Sequence, residues 1–363
     1  MTATSSAAGP VDWDVAARLA ARAVRPGPTG PRAELEDLVA GLRAAAGPAA
    51  EHAARVTGLA ALDGRDPAEV SRVLVVDRSG WARANVRMFE VMTAPLAAPR
   101  PDGSPPRGSS RPARLAGAAQ VGAVLGVLSG KVLGQFDPYT PPAGAADDAR
   151  GEGRLLLVAP NVLHLERKLG VDPGDFRLWV SLHEQTHALQ FAAAPWLADH
   201  LRERSAALLG DVAGQGEETF ARMLSTLGRV LADDEASILD ALTPEQRAVV
   251  DEVGAVMSLL EGHADVAMDA VGRTVVPSVR EIRRKFEARR DAQARSRGPE
   301  SVLRRLLGMD AKLAQYRDGA VFVRAVRSRV GLTGLNAVFA DRAHLPTAAE
   351  IADPGAWVRR VHG

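Results

Sequence analysis

The chain has 363 residues, 46% of them hydrophobic and 25% charged, a balance that belongs to a globular protein with one large or two ordinary domains. Its 45 basic and 44 acidic residues leave a formal net charge of +1, so no bulk attraction to nucleic acid or to an acidic partner is expected. Cysteine is absent, which excludes disulfides and thiolate chemistry, leaves His and carboxylates as the side chains that could bind a metal, and suits a reducing cytoplasm.

Met1 to Pro10 is small and polar, without the basic start and apolar run of a signal peptide, so secretion by that route is not expected. From Val11 to Arg25 apolar residues recur at helical spacing until the breaker Pro26-Gly27-Pro28. A second helix is expected over Arg32 to Ala46. Asp66 as N-cap, Pro67 at the first helical position and Glu69 three residues after the cap predict a short helix. Val73 to Val76 reads as a brief β run and Asp77 to Met92 as another helix.

Ala97 to Arg114, dense in Pro, Arg, Ser and Gly, reads as a solvated loop, with contact to nucleic acid or lipid as the alternative. Leu115 to Gly130 is too short to cross a membrane; its Ala and Gly content predicts a closely packed, buried helix. Gly134 to Tyr139 reads as a turn, followed by a loose stretch to Gly153. Arg154 to Ala159 is a short apolar run ended by Pro160-Asn161 and reads as a strand. Val162 to Leu169 reads as a helix.

Asp172-Pro173-Gly174-Asp175 then supplies an N-cap, a first-turn proline and an early acid for a helix that Pro195 ends. Within it stands His183-Glu184-Gln185-Thr186-His187. Residues four apart lie one turn above each other on a helix face, so His183 and His187 can present imidazole nitrogens to one cation. Glu184 projects beside that cation, where a carboxylate can take a proton from water. The structural alternative is a buried polar pair, and Leu178, Trp179, Leu182, Ala188, Leu189 and Phe191 do make this helix apolar around much of its circumference.

A catalytic zinc needs three protein ligands and an open position. His200, on a helix expected from Trp196 to Leu209, is one candidate because it is near in sequence. The other is Glu261, on a helix that begins with a capping box at Thr243 and Gln246 and runs toward Ala270. Asp265 lies one turn beyond Glu261 and can accept a hydrogen bond from a ligand imidazole. His263 points to a different face, as a packed or supporting residue. Gly254 and Gly262 are expected to bend this helix or to let the helix of His183 approach closely. Glu217 to Leu231 also reads as helical, and Ser301 to Val330 as a final amphipathic region. Ser278 to Arg297 reads as a solvated charged helix, with a nucleic-acid patch as the alternative. The tail from Leu345 is irregular before a short helical end.

His183-Glu184-x-x-His187 followed by Glu261-x-x-x-Asp265 resembles the gluzincin arrangement. Together with Trp179 to Phe191, Pro195-Trp196-Leu197, Leu259 to Asp265 and Gln315-Tyr316-Arg317, it resembles the bacterial zincin-like metallopeptidases often labelled as deazaflavin-coenzyme biosynthesis-associated, over most of the chain from Val11-Asp12-Trp13 to Trp357-Val358. That label carries no substrate. The resemblance implies a mainly α, zincin-like fold with a small β-sheet beside the active-site helix. It favours Glu261 over His200 as third ligand and points to Tyr316 as a donor to the developing oxyanion, beside the alternative of a core tyrosine. It also suggests that Arg154 to Ala159 is an edge strand that takes up a substrate backbone; an ordinary core strand is the equal alternative.

The expected organisation is an N-terminal helical region over residues 1–114, with a flexible loop near 97–114, and a zincin-like catalytic domain over 115–363, with one continuous unit as the alternative. The expected chemistry is hydrolysis of a peptide or amide substrate with Zn2+ held by His183, His187 and Glu261, Glu184 as general base, and Asp265 orienting an imidazole. No nucleic-acid or membrane partner is expected, and the sequence specifies no oligomeric state. A metal-retaining protein without turnover, and a hydrolase of small amide metabolites, are the alternatives.

Overall fold

The computed structural model describes residues 11–94, 110–141, 153–214, 242–294 and 309–363, with side chains except at 208–214, 290, 292–294 and 309–317. The expected loop over 97–109, the loose stretch over 142–152 and the expected helix over 217–231 lie outside the described residues. The protein is mainly helical with a small three-stranded sheet. No helix among the described residues is long and apolar enough to cross a membrane. By internal contacts the chain forms two compact units, residues 1–49 with 66–188 and residues 50–65 with 189–363.

In the first unit, helix α1 (Trp13–Ala23) starts at Asp12, whose carboxylate accepts from the Val15 N–H. Helix α2 (Arg32–Thr57) runs well beyond the expected stop at Ala46, carrying Pro48 in its interior. A proline there removes one backbone hydrogen bond, but Ala46, Ala49, Ala50 and Ala53 are all buried, and their packing holds the helix through it. Strand β1 (Ser71–Val76) leads into α3 (Arg78–Thr93), which Asp77 caps by accepting from the Gly80 N–H. Helix α4 (Arg111–Leu128) begins inside the stretch read as loop, because Ser110 caps it and Pro112 suits its first turn. It buries Ala118, Gly122, Leu125 and Gly126 and packs on α1, the close association its small residues predict.

Strands β2 (Gly134–Asp137) and β3 (Gly153–Val158) complete the sheet in the order β1-β3-β2, with β1 parallel and β2 antiparallel to β3. The expected turn over Gly134 to Tyr139 is therefore a strand followed by a turn, in which Asp137 accepts from the backbone N–H groups of Tyr139 and Thr140. Asp137 also pairs with Arg154 at 2.6 Å across the strands. The run over Arg154 to Ala159 is the central strand, not an edge, and Leu155 to Val158 are fully buried, so of the two readings the core strand holds. Helix α5 (Ala159–Leu169) and the larger part of α6 (Pro173–Ala193) follow.

In the second unit the end of α6 is followed by α7 (Trp196–Gly214), α8 (Pro244–Ala270), the short α9 (Gly272–Val275), α10 (Val279–Ala294), α11 (Met309–Asn336), α12 (Ala348–Ala352) and α13 (Pro354–His362). The capping box at Thr243 and Gln246 starts α8 as its spacing predicts. Helices α8 and α11 cross at Gly262 and Gly319. A β-carbon on Gly262 would stand 2.1 Å from the Gly319 carbonyl carbon, and one on Gly319 would stand 1.8 Å from the Ser258 oxygen. Gly262 thus admits α11, not the helix of His183 as expected. Helix α10 is not simply solvated: Val279 and Ile282 are buried, and Arg283 turns inward.

Candidate metal centre

Helix α6 is entered through Asp172, whose Oδ1 accepts from the Asp175 N–H at 2.8 Å, with Pro173 in the first turn. The register this fixes places His183, His187 and Gln190 on one face, since positions i, i+4 and i+7 coincide in azimuth on a helix. Gln185 lies toward the opposite side. Its Oε1 accepts from Ser71 Oγ at 3.0 Å and its Nε2 donates to the Ala46 carbonyl at 3.1 Å, so one buried amide ties α6 to β1 and α2. Such a pair of directional bonds fixes the rotation of the helix more tightly than its apolar contacts can.

The Nε2 atoms of His183 and His187 lie 3.1 Å apart, with ring planes at 90° and centroids 4.7 Å apart. Two nitrogens bound to one tetrahedral zinc at about 2.0–2.1 Å stand about 3.3 Å from each other, so the pair is spaced for a shared ion. Among the described residues His183, His187 and Glu261 could hold a metal: each offers one ligand atom, the three atoms lie within 4.8 Å of one another, and each residue is partly buried. Two imidazoles and a carboxylate, with no sulfur, are a donor set that suits zinc and leaves a fourth position.

Glu184 is 6% exposed and lies against the first residue of β2. A β-carbon on Gly134 would stand 2.6 Å from Glu184 Cγ and 2.7 Å from its carboxyl carbon and Oε1. The edge strand of the sheet therefore meets this carboxylate through a residue that has no side chain. Sequence reading missed Gly134, and its signal is faint: four residues, Gly-Gln-Phe-Asp, carry almost no strand periodicity.

Asp265 does not meet an imidazole among the described residues. Its Oδ1 accepts from Arg283 Nη1 at 2.5 Å, its backbone carbonyl accepts from Arg283 Nη2 at 3.1 Å, and Arg324 stands 4.0 Å from Oδ2. Burial opposes the charge on Arg283, but Asp265 and Asp269 more than offset it and hold the guanidinium above its ordinary pKa. His200, the rival third ligand, turns to Glu252, with Nε2 to Oε1 at 3.5 Å. His263 is 3% exposed, its ring lies 5.5 Å from that of Phe339, and its Nδ1 is 3.1 Å from Gln190 Nε2. Tyr316 belongs to α11, but its side chain lies outside the described residues. Gln190 is the further residue that sequence reading passed over; its spacing from His183 and His187 was the available signal.

A family model described as zincin-like metallopeptidase matches residues 11–358. No curated protein matches the chain. Among solved structures, one from Chloroflexus aurantiacus, described as "a putative hydrolase with a novel fold", is 30% identical, with a TM-score of 0.63, over 96% of this chain and 98% of that one.

Proposed function

The chain belongs to the zincin-like metallopeptidase family, and on that footing we propose that it is a zinc-dependent hydrolase of peptide or amide bonds. The observation that carries this reading is the gathering of His183, His187 and Glu261 ligand atoms within 4.8 Å, beside a buried Glu184.

His183, His187 and Glu261 would hold the ion. When bound, it supplies Lewis acidity, which lowers the pKa of water and polarises the scissile carbonyl. Glu184 accepts the proton of the attacking water and delivers it to the leaving nitrogen, a role its low exposure favours because few waters compete for its oxygens. Among the described residues strand β2 has a partner on one side only, in β3, so its other edge is where an extended substrate backbone can add by main-chain hydrogen bonds. Tyr316 is assigned to the developing oxyanion as a hydroxyl donor from α11. Asp265 is assigned to hold its turn of α8 in place through Arg283.

The test is metal analysis of purified protein together with cleavage of a peptide library by the wild type and by Glu184→Gln. The expected result is about one zinc per chain in both, cleavage by the wild type, and a loss of about 100-fold or more in the variant, as removing a general base costs. A wild type that carries zinc and cleaves no peptide or amide overturns the hydrolase reading; one that binds no metal overturns the site.

A further inference from the structure

We propose that Gln190 is a positioning residue that sets the approach of Glu261 to the cation and thereby the affinity of the site. The proposal rests on the reading of His183, His187 and Glu261 as ligands.

Gln190 is on α6 three residues beyond His187, and it is 0% exposed. Its Nε2 donates to the carbonyl oxygen of Leu260 at 2.9 Å and lies 3.1 Å from His263 Nδ1. Leu260 immediately precedes Glu261, and His263 follows it by two residues. One amide group on the helix of the two imidazoles therefore grips α8 on either side of the third ligand. The Leu260 oxygen also lies within reach of the Ala264 N–H, its partner four residues on in an α-helix, so both of its lone pairs are engaged. That carbonyl is fixed in two directions. His263 is held in turn by the ring of Phe339 at 5.5 Å, and with its proton on Nε2 its Nδ1 accepts from the Gln190 amide.

Apolar packing alone would let α8 slide or rotate along α6 by fractions of an ångström at little cost, because dispersion has no direction. A metal ligand does not tolerate such freedom, since binding distances are defined to about 0.2 Å. A buried amide bonded to the peptide next to the ligand removes that freedom before the ion arrives. Partners of this kind commonly change metal affinity by about 10–100-fold when removed.

The rival account is that Gln190 is a buried polar group bonded wherever it can be, which would make it matter to stability alone. A coupling experiment separates the two. The zinc dissociation constant of the full chain is measured by chelator competition for the wild type, Gln190→Leu, Glu261→Ala and the double variant, with thermal unfolding of each metal-free protein alongside. The expected result is a weakening of about 10–100-fold by Gln190→Leu in the wild-type background and no further weakening in the Glu261→Ala background. An unchanged constant for Gln190→Leu, or the same factor in both backgrounds, overturns the proposal even where stability falls. Gln190→Met, unbranched and of the same length, is measured in the same way should the leucine variant fail to fold. If Glu261→Ala leaves the wild-type constant unaltered, the ligand assignment fails instead, and this proposal with it.

Discussion

Gly134 and Glu184 approach so closely that a β-carbon on the first would lie 2.6 Å from Cγ of the second. Real β-carbons do not make such contacts, so Gly134→Ala forces the Glu184 carboxylate aside. Turnover in Gly134→Ala is expected to fall by about 10–100-fold, part of the 10²–10⁴ that general acid–base groups contribute, with zinc content unchanged. Steady-state rates and metal content of the same preparation check this; full activity in the alanine variant would show that the carboxylate does not need this position.

Zinc is expected to raise the thermal stability of the protein, because an ion that binds only the native state adds RT ln(1 + [L]/Kd). At free zinc about 100 times the dissociation constant the gain is about 2.7 kcal/mol. Thermal unfolding with and without chelator measures it, and His187→Ala should show no zinc-dependent shift.

The crossing of α8 and α11 should be the part of the second unit least tolerant of added volume. Gly319→Ala brings a methyl group against the Ser258 carbonyl, where backbone and not a flexible side chain has to yield. The expected destabilisation is about 3 kcal/mol or more, at the upper end of overpacking effects. A melting temperature within a degree of wild type would show that the helices separate freely.

His200 should make the protein acid-sensitive. It is 6% exposed, and burial, with Arg204 and Arg342 adding to it, lowers its pKa below the ordinary 6.5 against the opposing pull of Glu252 and Glu203. As pH falls through 6.5 the unfolded chain takes up the imidazole proton before the folded one does, so the unfolded state binds more protons and stability declines. Above that pH both states are neutral and the residue contributes nothing to the slope. Melting temperatures of the wild type and His200→Gln between pH 7.5 and about 5 test this: the variant should lose less stability on acidification.

Some of this architecture could be read from short-range spacing. The N-cap at Asp172, the capping box at Thr243 and Gln246, and the placement of His187 one turn beyond His183 each depend on residues within one or two turns, where helix geometry leaves no alternative. The reading was less accurate where the partner is remote. Strand β2 exists because Gly134 to Asp137 pair with Arg154 to Leu157, and no property of the four residues announces that partner. The same pairing, with β1 on the other side, makes β3 central and moves the free edge to the neighbour that meets Glu184. Asp265 was paired in expectation with an imidazole, but Arg283 reaches it from α10 and presents a full charge where an imidazole presents a dipole. In α2, buried alanines on both sides of Pro48 carry the helix past the expected stop at Ala46.

The sequence by itself determined that two imidazoles share one helix face with an acid beside them, because an α-helix of fixed pitch makes a spacing of four residues a statement about position in space. Only the tertiary structure decided which carboxylate could join those imidazoles at a metal, what Asp265 is bonded to, and which strand Glu184 lies against. Those depend on segments far apart along the chain meeting through packing and buried hydrogen bonds, and one-dimensional spacing holds no measure of that.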